Sequence, residues 1–398
     1  MAASAVLPSP SGQYPVGCAH LMHKFEDDAD TLLVRLFYPC QEGGGGRPYT
    51  QWVPHERYVK GYNEYWKFML PESGISTEPQ IPALYGAPLQ AEASTATSQS
   101  AVLVYSHGLG AMSMTYSAIC CDLASHGYVV ASVEHRDCSA CVSHLRVPAS
   151  GGGGLTDEWL EHHTLKEGEE QYPFRNKQVK KRSSDARRAL DLLRLLNEGA
   201  PVGNLLEVDL DFGQFKGRLD LNMAGMMGHS FGGATVIQTL SEDQRFKCGV
   251  CLDVWMLSVH KNHENGFTIQ QPLIFINSSD FHWKENIEQM TKMTKPSNEQ
   301  GLSVARMITL MGTNHYYQSD VLFTFPSRAD KSFTSTLDVV TAHRVNMDVS
   351  HAFLKRHLLM DSSYQGPIPN LDGCEGHSEH VMFGSNVAIT PSEQSTCD

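Results

Sequence analysis

The most informative stretch of the chain is MMGHSFGGAT, residues 226–235, in which Ser230 lies between glycines. It fits the pattern Gly-x-Ser-x-Gly, with an apolar run before it (221–229) and a helix-forming run after it (231–243). In a strand–turn–helix setting, such glycines let the backbone pack closely while the serine hydroxyl projects from a strained turn. The stretch therefore predicts a nucleophile elbow rather than a passive glycine-rich turn.

Apolar, strand-like runs alternate with helix-like segments on both sides of this stretch. Further strands are predicted at TLLVRLFYP (31–39), AVLVYSHG (101–108), YVVASVEH (128–135), KCGVCLD (247–253), PLIFINSS (272–279) and ARMITLMG (305–312). Further helices are predicted at 115–127, 183–199 and 345–359. Continuous apolar strands that alternate with helices indicate an α/β fold, with a mostly parallel central sheet and helices on both faces.

The charge of the chain limits its partners. Its 398 residues include 31 Lys and Arg against 44 Asp and Glu, for a net charge of −13. This balance argues against a nucleic-acid partner and against polybasic docking on anionic lipid. No run approaches the ~18 apolar residues that a transmembrane segment needs. Residues 1–17 lack the basic and long apolar regions of a signal peptide, so none is expected.

Ten cysteines include two Cys-x-x-Cys spacings, CSAC (138–141) and CGVC (248–251), a pattern found in zinc sites. However, Cys248 and Cys251 fall in a strand-like run, where residues three apart point to opposite faces. We therefore expect reduced thiols, no metal site and no cofactor.

A serine nucleophile needs a histidine base and a carboxylate that orients it, and both should follow the serine just past later strands. Among 19 histidines, His315 has this position, in the turn LMGTNHYY after the run 305–312. We predict that His315 is the base. The other later candidates lie in a polar loop or on the last helix: His260, His263, His351 and His357.

Two acids end strand-like runs after the serine. Asp253 ends KCGVCLD and Asp280 ends PLIFINSSD (272–280). Topology leaves both open, and the later strand would be the usual choice for the acid of such a site.

Two backbone N–H groups are expected to stabilise an oxyanion. One belongs to Phe231, directly after the nucleophile, and the other to Leu109, in the early loop YSHGLG (105–110). His107 in the same loop is expected to hold the loop by a hydrogen bond rather than to act as the base.

One known family resembles the chain in several segments that occur in the same order. They are VYSHGLGAMSMTYSAICCDLASHGYVVASVEHRDCSA (104–140), MGHSFGGAT (227–235), CLDVWM (251–256) and PLIFINS (272–278). They resemble the platelet-activating factor acetylhydrolases, lipoprotein-associated and intracellular type II enzymes with an α/β-hydrolase fold. The resemblance begins near residue 14. It implies a single domain over 1–398, with a core of about 14–360 and a C-terminal extension at 361–398.

The resemblance also implies an activity and a choice of acid. In that family the acid lies in a Leu-Asp-x-Trp segment, which favours Asp253, beside Ser230 as nucleophile and His315 as base. Such enzymes cleave, without calcium, the sn-2 acetyl or short or oxidised acyl ester of platelet-activating factor and related phospholipids. The products are a lyso-phospholipid and a short carboxylic acid.

An aromatic segment at 52–70 leaves two interpretations open. Three tyrosines at helical spacing (Tyr58, Tyr62 and Tyr65) favour packing in the core. The following apolar residues could instead contact a lipid interface. The residues assigned to this candidate lipid contact are Trp66, Phe68 and Met69.

The expected partner is a phospholipid at a membrane or lipoprotein surface. We expect a monomer in the cytoplasm that binds membranes peripherally, with secretion as the alternative. Two other functions fit the same residues: a general carboxylesterase or lipase, and a catalytically silent lipid-binding protein. Labelling of the serine by an organophosphate would exclude the silent protein.

Overall fold

The computed structural model describes residues 6–26, 31–41, 49–67, 74–90, 99–149, 153–263, 269–281, 283–294, 305–324, 335–359 and 379–385. Its strands are β1 (Val16–Lys24), β2 (Thr31–Pro39), β3 (Tyr49–Gln51), β4 (Gln80–Tyr85), β5 (Ser100–Ser106), β6 (Val129–Glu134), β7 (Val142–Pro148), β8 (Leu155–Glu161), β9 (Leu219–His229), β10 (Phe246–Leu252), β11 (Leu273–Ser278), β12 (Ala305–Leu310) and β13 (Val381–Phe383). Its α-helices are α1 (Glu56–Tyr65), α2 (Ser117–Ser125), α3 (Gln171–Glu198), α4 (Phe231–Glu242), α5 (Lys284–Thr294), α6 (Val321–Thr324) and α7 (Val339–Leu354).

An eleven-stranded sheet forms the centre of the molecule, in the order β13-β12-β11-β10-β9-β5-β6-β2-β1-β4-β3. The strands from β12 to β6 in this order are mutually parallel. Antiparallel strands flank this parallel block, with β2 beside β6 and β13 beside β12. The sequence-based prediction of a mostly parallel α/β sheet is confirmed. Parallel strands bring their carboxyl ends to one edge, where active sites of such sheets form.

The hydrophobic core of the described residues has two large clusters, one on each face of the sheet. A small third cluster consists of Tyr317, Leu322 and Ala342. Along β5, Leu103 and Tyr105 belong to one cluster, whereas Val102 and Val104 belong to the other. Cys248 and Cys251 on β10 are divided in the same way, so the two thiols point to opposite faces. Every cysteine within the described ranges is a free thiol. The structure therefore gives the CGVC pair no metal-binding geometry, as the strand pattern predicted.

Helix α3 is much longer than the predicted segment 183–199, because it already begins at Gln171. Its first half is polar and contains Pro173, which the first turn of a helix tolerates. Several polar residues in this half are nevertheless buried, among them Arg175, Gln178 and Arg182. The apolar periodicity used for the prediction is therefore missing where the helix packs through hydrogen bonds.

A separate two-stranded sheet, β7 with β8, was not predicted from the sequence. Most of β8 is exposed, so its residues show no apolar alternation that would mark a strand. At the other end of the chain, β13 lies within the segment 361–398 and adds an antiparallel edge strand to the main sheet. Among the helices in the described ranges, none has both the length and the apolar character required to span a bilayer.

Candidate active site

Ser230 lies in a sharp turn between β9 and α4. Its backbone has φ 56° and ψ −116°, a strained conformation for a residue with a side chain. The flanking glycines have no room for a Cβ: one on Gly228 would lie 2.4 Å from the Gly232 oxygen, and one on Gly232 only 2.0 Å from the Ser106 oxygen. The Ser230 N–H donates to the Leu252 carbonyl at 2.8 Å. The turn therefore has the strand–turn–helix geometry of a nucleophile elbow.

Asp253 follows the carboxyl end of the neighbouring strand β10 and is fully buried. Ser278 donates two hydrogen bonds to its carboxylate, from the backbone N–H to Oδ1 and from the hydroxyl to Oδ2, both at 2.6 Å. The Nδ1 atom of His315 lies 3.1 Å from the same Oδ2. A carboxylate at this distance favours the tautomer with a proton on Nδ1, which leaves Nε2 able to accept one.

His315 begins a short 3₁₀ turn, His315–Gln318, after β12. Its ring stacks on Phe281, with centroids 3.8 Å apart and planes 15° apart. The ring of His229, the residue before the serine, lies 4.3 Å away by centroids. About a fifth of the His315 side chain is exposed. These contacts hold the imidazole beside the turn while leaving it partly accessible.

The three predicted catalytic residues gather at one edge of the sheet. Ser230 follows β9, Asp253 follows β10 and His315 follows β12, which are parallel strands. The Trp255 N–H donates to the Ser230 carbonyl at 3.1 Å, which connects the serine turn to the segment that carries the acid. Ring or carboxylate atoms of His229, Asp253 and His315 lie within 4.8 Å of one another.

The alternative acid, Asp280, lies at the margin of this cluster. Its Oδ1 is 3.4 Å from the Ser278 hydroxyl, which is closer to Asp253. Burial, together with the charge of Asp253, raises the pKa of Asp280 to about 6. The imidazole nitrogen is hydrogen-bonded to Asp253, so Asp253 has the orienting position.

The loop after β5 lies against the serine turn. A Cβ on Gly108 would lie 3.4 Å from the Ser230 Cβ. The Gly108 N–H donates to the Tyr116 hydroxyl at 2.9 Å, and that hydroxyl is also 2.9 Å from His229 Nδ1. Within the described part of the chain, the N–H groups of Leu109 and Phe231 have no acceptor. Both are therefore available to a developing oxyanion.

His107 stabilises this loop from within. Its Nδ1 lies 2.8 Å from the Gly108 carbonyl, and its Nε2 accepts the His135 N–H at 3.2 Å. Burial and the neighbouring Arg182 hold the pKa of His107 well below its usual value. The ring is therefore neutral, and its hydrogen bonds hold the loop.

Arg182 is the main contributor to the site that sequence reasoning missed. It is fully buried, and its Nη1 donates to the His107 carbonyl at 2.6 Å. Its guanidinium lies 4.4 Å from the ring centroid of Phe231, and its Nε donates to Asp137 at 3.1 Å. The Arg182 side chain thus contacts both segments that carry the candidate oxyanion donors and stabilises their positions. The only signal in the sequence was an arginine in a polar run, which is typical of an exposed helix.

The aromatic segment is divided between core and site. Tyr58 and Tyr62 are buried in the core. Trp66 is half-buried, and its indole N–H donates at 2.9 Å to the carbonyl of Gly110 in the loop after β5. Phe68 and Met69 lie outside the described residues. Lipid contact by Trp66 stays a prediction.

Comparison with known proteins finds one family over most of the chain. The family described as platelet-activating factor acetylhydrolase, isoform II, matches residues 1–374. The platelet-activating factor acetylhydrolase of Canis lupus familiaris is 36% identical, with 98% of this chain and 86% of that protein covered. The protein of the same name from Bos taurus is 37% identical, with 96% and 84% covered. That from Gallus gallus is 33% identical, with 97% and 91% covered.

A solved structure shares the fold. The ferulic acid esterase of Streptomyces cinnamoneus superposes with a TM-score of 0.62 and 22% identity, covering 96% of this chain and 99% of the esterase. At this identity the likeness concerns the fold, which is the α/β-hydrolase fold expected from the sequence.

Proposed function

The chain belongs to the platelet-activating factor acetylhydrolase, isoform II, family, and from this membership we propose that it is a serine esterase of phospholipids. It hydrolyses the sn-2 acetyl or short or oxidised acyl ester of platelet-activating factor and related lipids. The observation that carries the proposal is the His315–Asp253 hydrogen bond, at 3.1 Å, beside the strained turn of Ser230.

Acylation begins when His315 Nε2 removes the proton of the Ser230 hydroxyl. The serine oxygen then attacks the sn-2 carbonyl carbon, and the carbonyl oxygen becomes an oxyanion. The N–H groups of Leu109 and Phe231 stabilise this oxyanion, and the loss of one such donor costs about 3 kcal/mol of barrier. Asp253 stabilises the imidazolium through its bond to Nδ1.

Collapse of the tetrahedral intermediate breaks the ester bond. His315 gives its proton to the departing sn-2 oxygen, so that the lyso-phospholipid leaves and an acyl-serine remains. Water then attacks this acyl-enzyme after losing a proton to the same imidazole, and the short carboxylic acid leaves.

Calcium has no part in the proposed steps. The Phe231 donor lies at the start of α4, where the helix dipole adds further positive potential, and the Leu109 donor comes from the loop after β5. We expect turnover to be equal in excess chelator and in added calcium.

Location and assembly are part of the same proposal. We expect a cytoplasmic monomer that meets its substrate at membrane surfaces, with Trp66 close to the point of entry. Free thiols at all described cysteines favour a reducing compartment over a secreted protein. Cell fractionation and size-exclusion chromatography would test these two expectations.

The experiment compares hydrolysis of four esters by the full chain: an sn-2 acetyl phospholipid, an sn-2 oxidised short-chain phospholipid, an sn-2 palmitoyl phospholipid and a long-chain triacylglycerol. We expect rapid turnover of the first two esters and at least about 100-fold slower turnover of the other two. A pocket that excludes long acyl chains cannot bind the transition state of a long-chain ester as tightly as that of a short-chain ester. Equal turnover of the triacylglycerol would instead identify a general lipase. Absence of turnover for all four would identify a silent lipid-binding protein.

A further inference from the structure

A second group of ligand-type side chains lies on α2, away from the catalytic residues. Asp122 lies in the last turn of this helix, His126 is the residue directly after it, and His351 reaches them from α7. The three side chains each present one oxygen or nitrogen atom, and these atoms lie within 4.8 Å of one another. We refer to these three residues as the α2–α7 cluster. The proposed esterase mechanism uses none of them.

The distances within the α2–α7 cluster suit a small tetrahedral cation. Nε2 of His351 is 2.8 Å from Asp122 Oδ1, and Nε2 of His126 is 3.8 Å from the same oxygen. Ligand atoms around tetrahedral zinc are about 3.3 Å apart, given bond lengths of about 2.0–2.2 Å. The two observed distances lie on either side of this value.

One further side chain reaches the cluster from the N-terminal segment. The Ser11 hydroxyl lies 3.1 Å from Asp122 Oδ1 and 2.9 Å from His126 Nε2. The Ser11 N–H donates to the other carboxylate oxygen, Oδ2, at 2.9 Å, which leaves Oδ1 for the cluster. Asp122 is almost fully buried, whereas the His126 side chain is 37% exposed. The carboxylate of the site is therefore buried, whereas the His126 side of the site is open to solvent and could admit an ion.

The two imidazole rings of the cluster lie against each other, with centroids 3.9 Å apart. Both rings therefore approach the Asp122 carboxylate from neighbouring positions. Neutral imidazoles and an ionised carboxylate are the ligand forms that zinc binds.

We propose that the α2–α7 cluster binds one Zn²⁺ through Asp122 Oδ1 and the Nε2 atoms of His126 and His351. The Ser11 hydroxyl or a water takes the fourth position. In the bound form His351 coordinates through the Nε2 lone pair and carries its proton on Nδ1, as a neutral imidazole ligand requires. The ion connects the N-terminal segment, α2 and α7. Its role is therefore structural.

The test is zinc binding by the full chain, measured by isothermal titration calorimetry and by thermal melting after removal of metals with EDTA. The variants are His126→Asn and the control His163→Asn, since His163 is also about a third exposed and lies 3.2 Å from one carboxylate, that of Glu169. A third variant, His315→Gln, is needed because the catalytic residues also bring His229, Asp253 and His315 atoms within 4.8 Å.

We expect one zinc per wild-type chain, and a melting temperature about 3 °C higher at zinc concentrations near 100 times the dissociation constant. His126→Asn should weaken binding by about 10-fold or more, whereas His163→Asn and His315→Gln should bind as the wild type does. His351→Gln, which can still hydrogen-bond Asp122, is an independent second variant. The proposal is wrong if the wild type binds no zinc, if both cluster variants retain full affinity, or if His315→Gln abolishes binding.

Discussion

Asp253 and Asp280 both lie near the hydroxyl of Ser278, but their relations to the imidazole differ. The hydroxyl is 2.6 Å from Asp253 and 3.4 Å from Asp280, and His315 Nδ1 is hydrogen-bonded to Asp253. A carboxylate in this position fixes the tautomer of the histidine and stabilises its charged form. The roles of the two acids can therefore be separated by experiment.

We predict that Asp253→Asn lowers kcat by about 10⁴-fold, because an amide in this position favours the wrong histidine tautomer. The matched variant Asp280→Asn should change kcat by less than about 10-fold, since it removes only a nearby charge. The measurement is steady-state kinetics on one soluble acetyl ester, with circular dichroism as a check of folding. A larger loss in Asp280→Asn than in Asp253→Asn would assign the acid to the later strand.

The sequence could locate the candidate catalytic residues but not all of the residues that hold the site in position. Ser230 and His315 follow from motif and chain order, because each lies directly after a strand-like run. The choice between the two acids needed a family resemblance, since both acids end strands. Arg182 could not be found, because its partners, the His107 carbonyl and the Phe231 ring, are remote in the chain. Only the folded structure brings such partners together.

The turn between β9 and α4 depends on the close approach of three backbone segments. Gly232 lies against the end of β5, and a Cβ there would be 2.0 Å from the Ser106 carbonyl oxygen. The Ser106 oxygen is a backbone atom and a Cβ is attached directly to the backbone. A change of side-chain rotamer therefore cannot relieve the contact. The distance between the turn and β5 therefore leaves room only for the hydrogen of a glycine at position 232.

We predict that Gly232→Ala lowers the free energy of unfolding by about 3 kcal/mol or more, because β5 and α4 must separate to admit the methyl group. The control is Gly203→Ala, where an added Cβ would meet nothing within 4 Å. Its effect should stay within about 0.5 kcal/mol. Urea unfolding of both variants is the measurement. Equal stabilities would contradict the tight packing of the turn.

Strands and helices with strong apolar patterns were predicted well, whereas polar elements were not. The prediction 31–39 coincides with β2, and 231–243 differs from α4 by a single residue at its end. The first half of α3 was missed because its buried side chains are polar. The hairpin of β7 and β8 was missed because most of β8 is exposed and shows no apolar alternation. Periodicity reveals an element only where one face is apolar and buried.

The whole molecule also buries ionisable groups away from the candidate active site. Glu134 ends β6, is almost fully buried, and accepts the Ser113 N–H at 2.7 Å. Burial raises its pKa from 4.5 to about 7. Because the folded state holds the proton more tightly than the unfolded state does, this group reduces stability as the pH rises from about 4.5 to about 7.

We predict that Glu134→Gln removes this pH dependence, since glutamine resembles the neutral acid. The stability of the wild type relative to the variant should fall by roughly 3 kcal/mol between about pH 5 and about pH 8. Urea unfolding of both proteins at the two pH values measures this difference, in which the other titrating groups cancel. A difference that is constant with pH would show that Glu134 has an ordinary pKa.

In the proposed mechanism, Ser230 is a nucleophile that His315 activates. The most direct measurement is the intact mass of the protein after reaction with a fluorophosphonate, alongside turnover of an acetyl phospholipid. We predict one adduct on the wild type at Ser230 with loss of all turnover, very slow labelling of His315→Gln, and neither adduct nor turnover for Ser230→Ala. An adduct or undiminished hydrolysis in Ser230→Ala would contradict the claim.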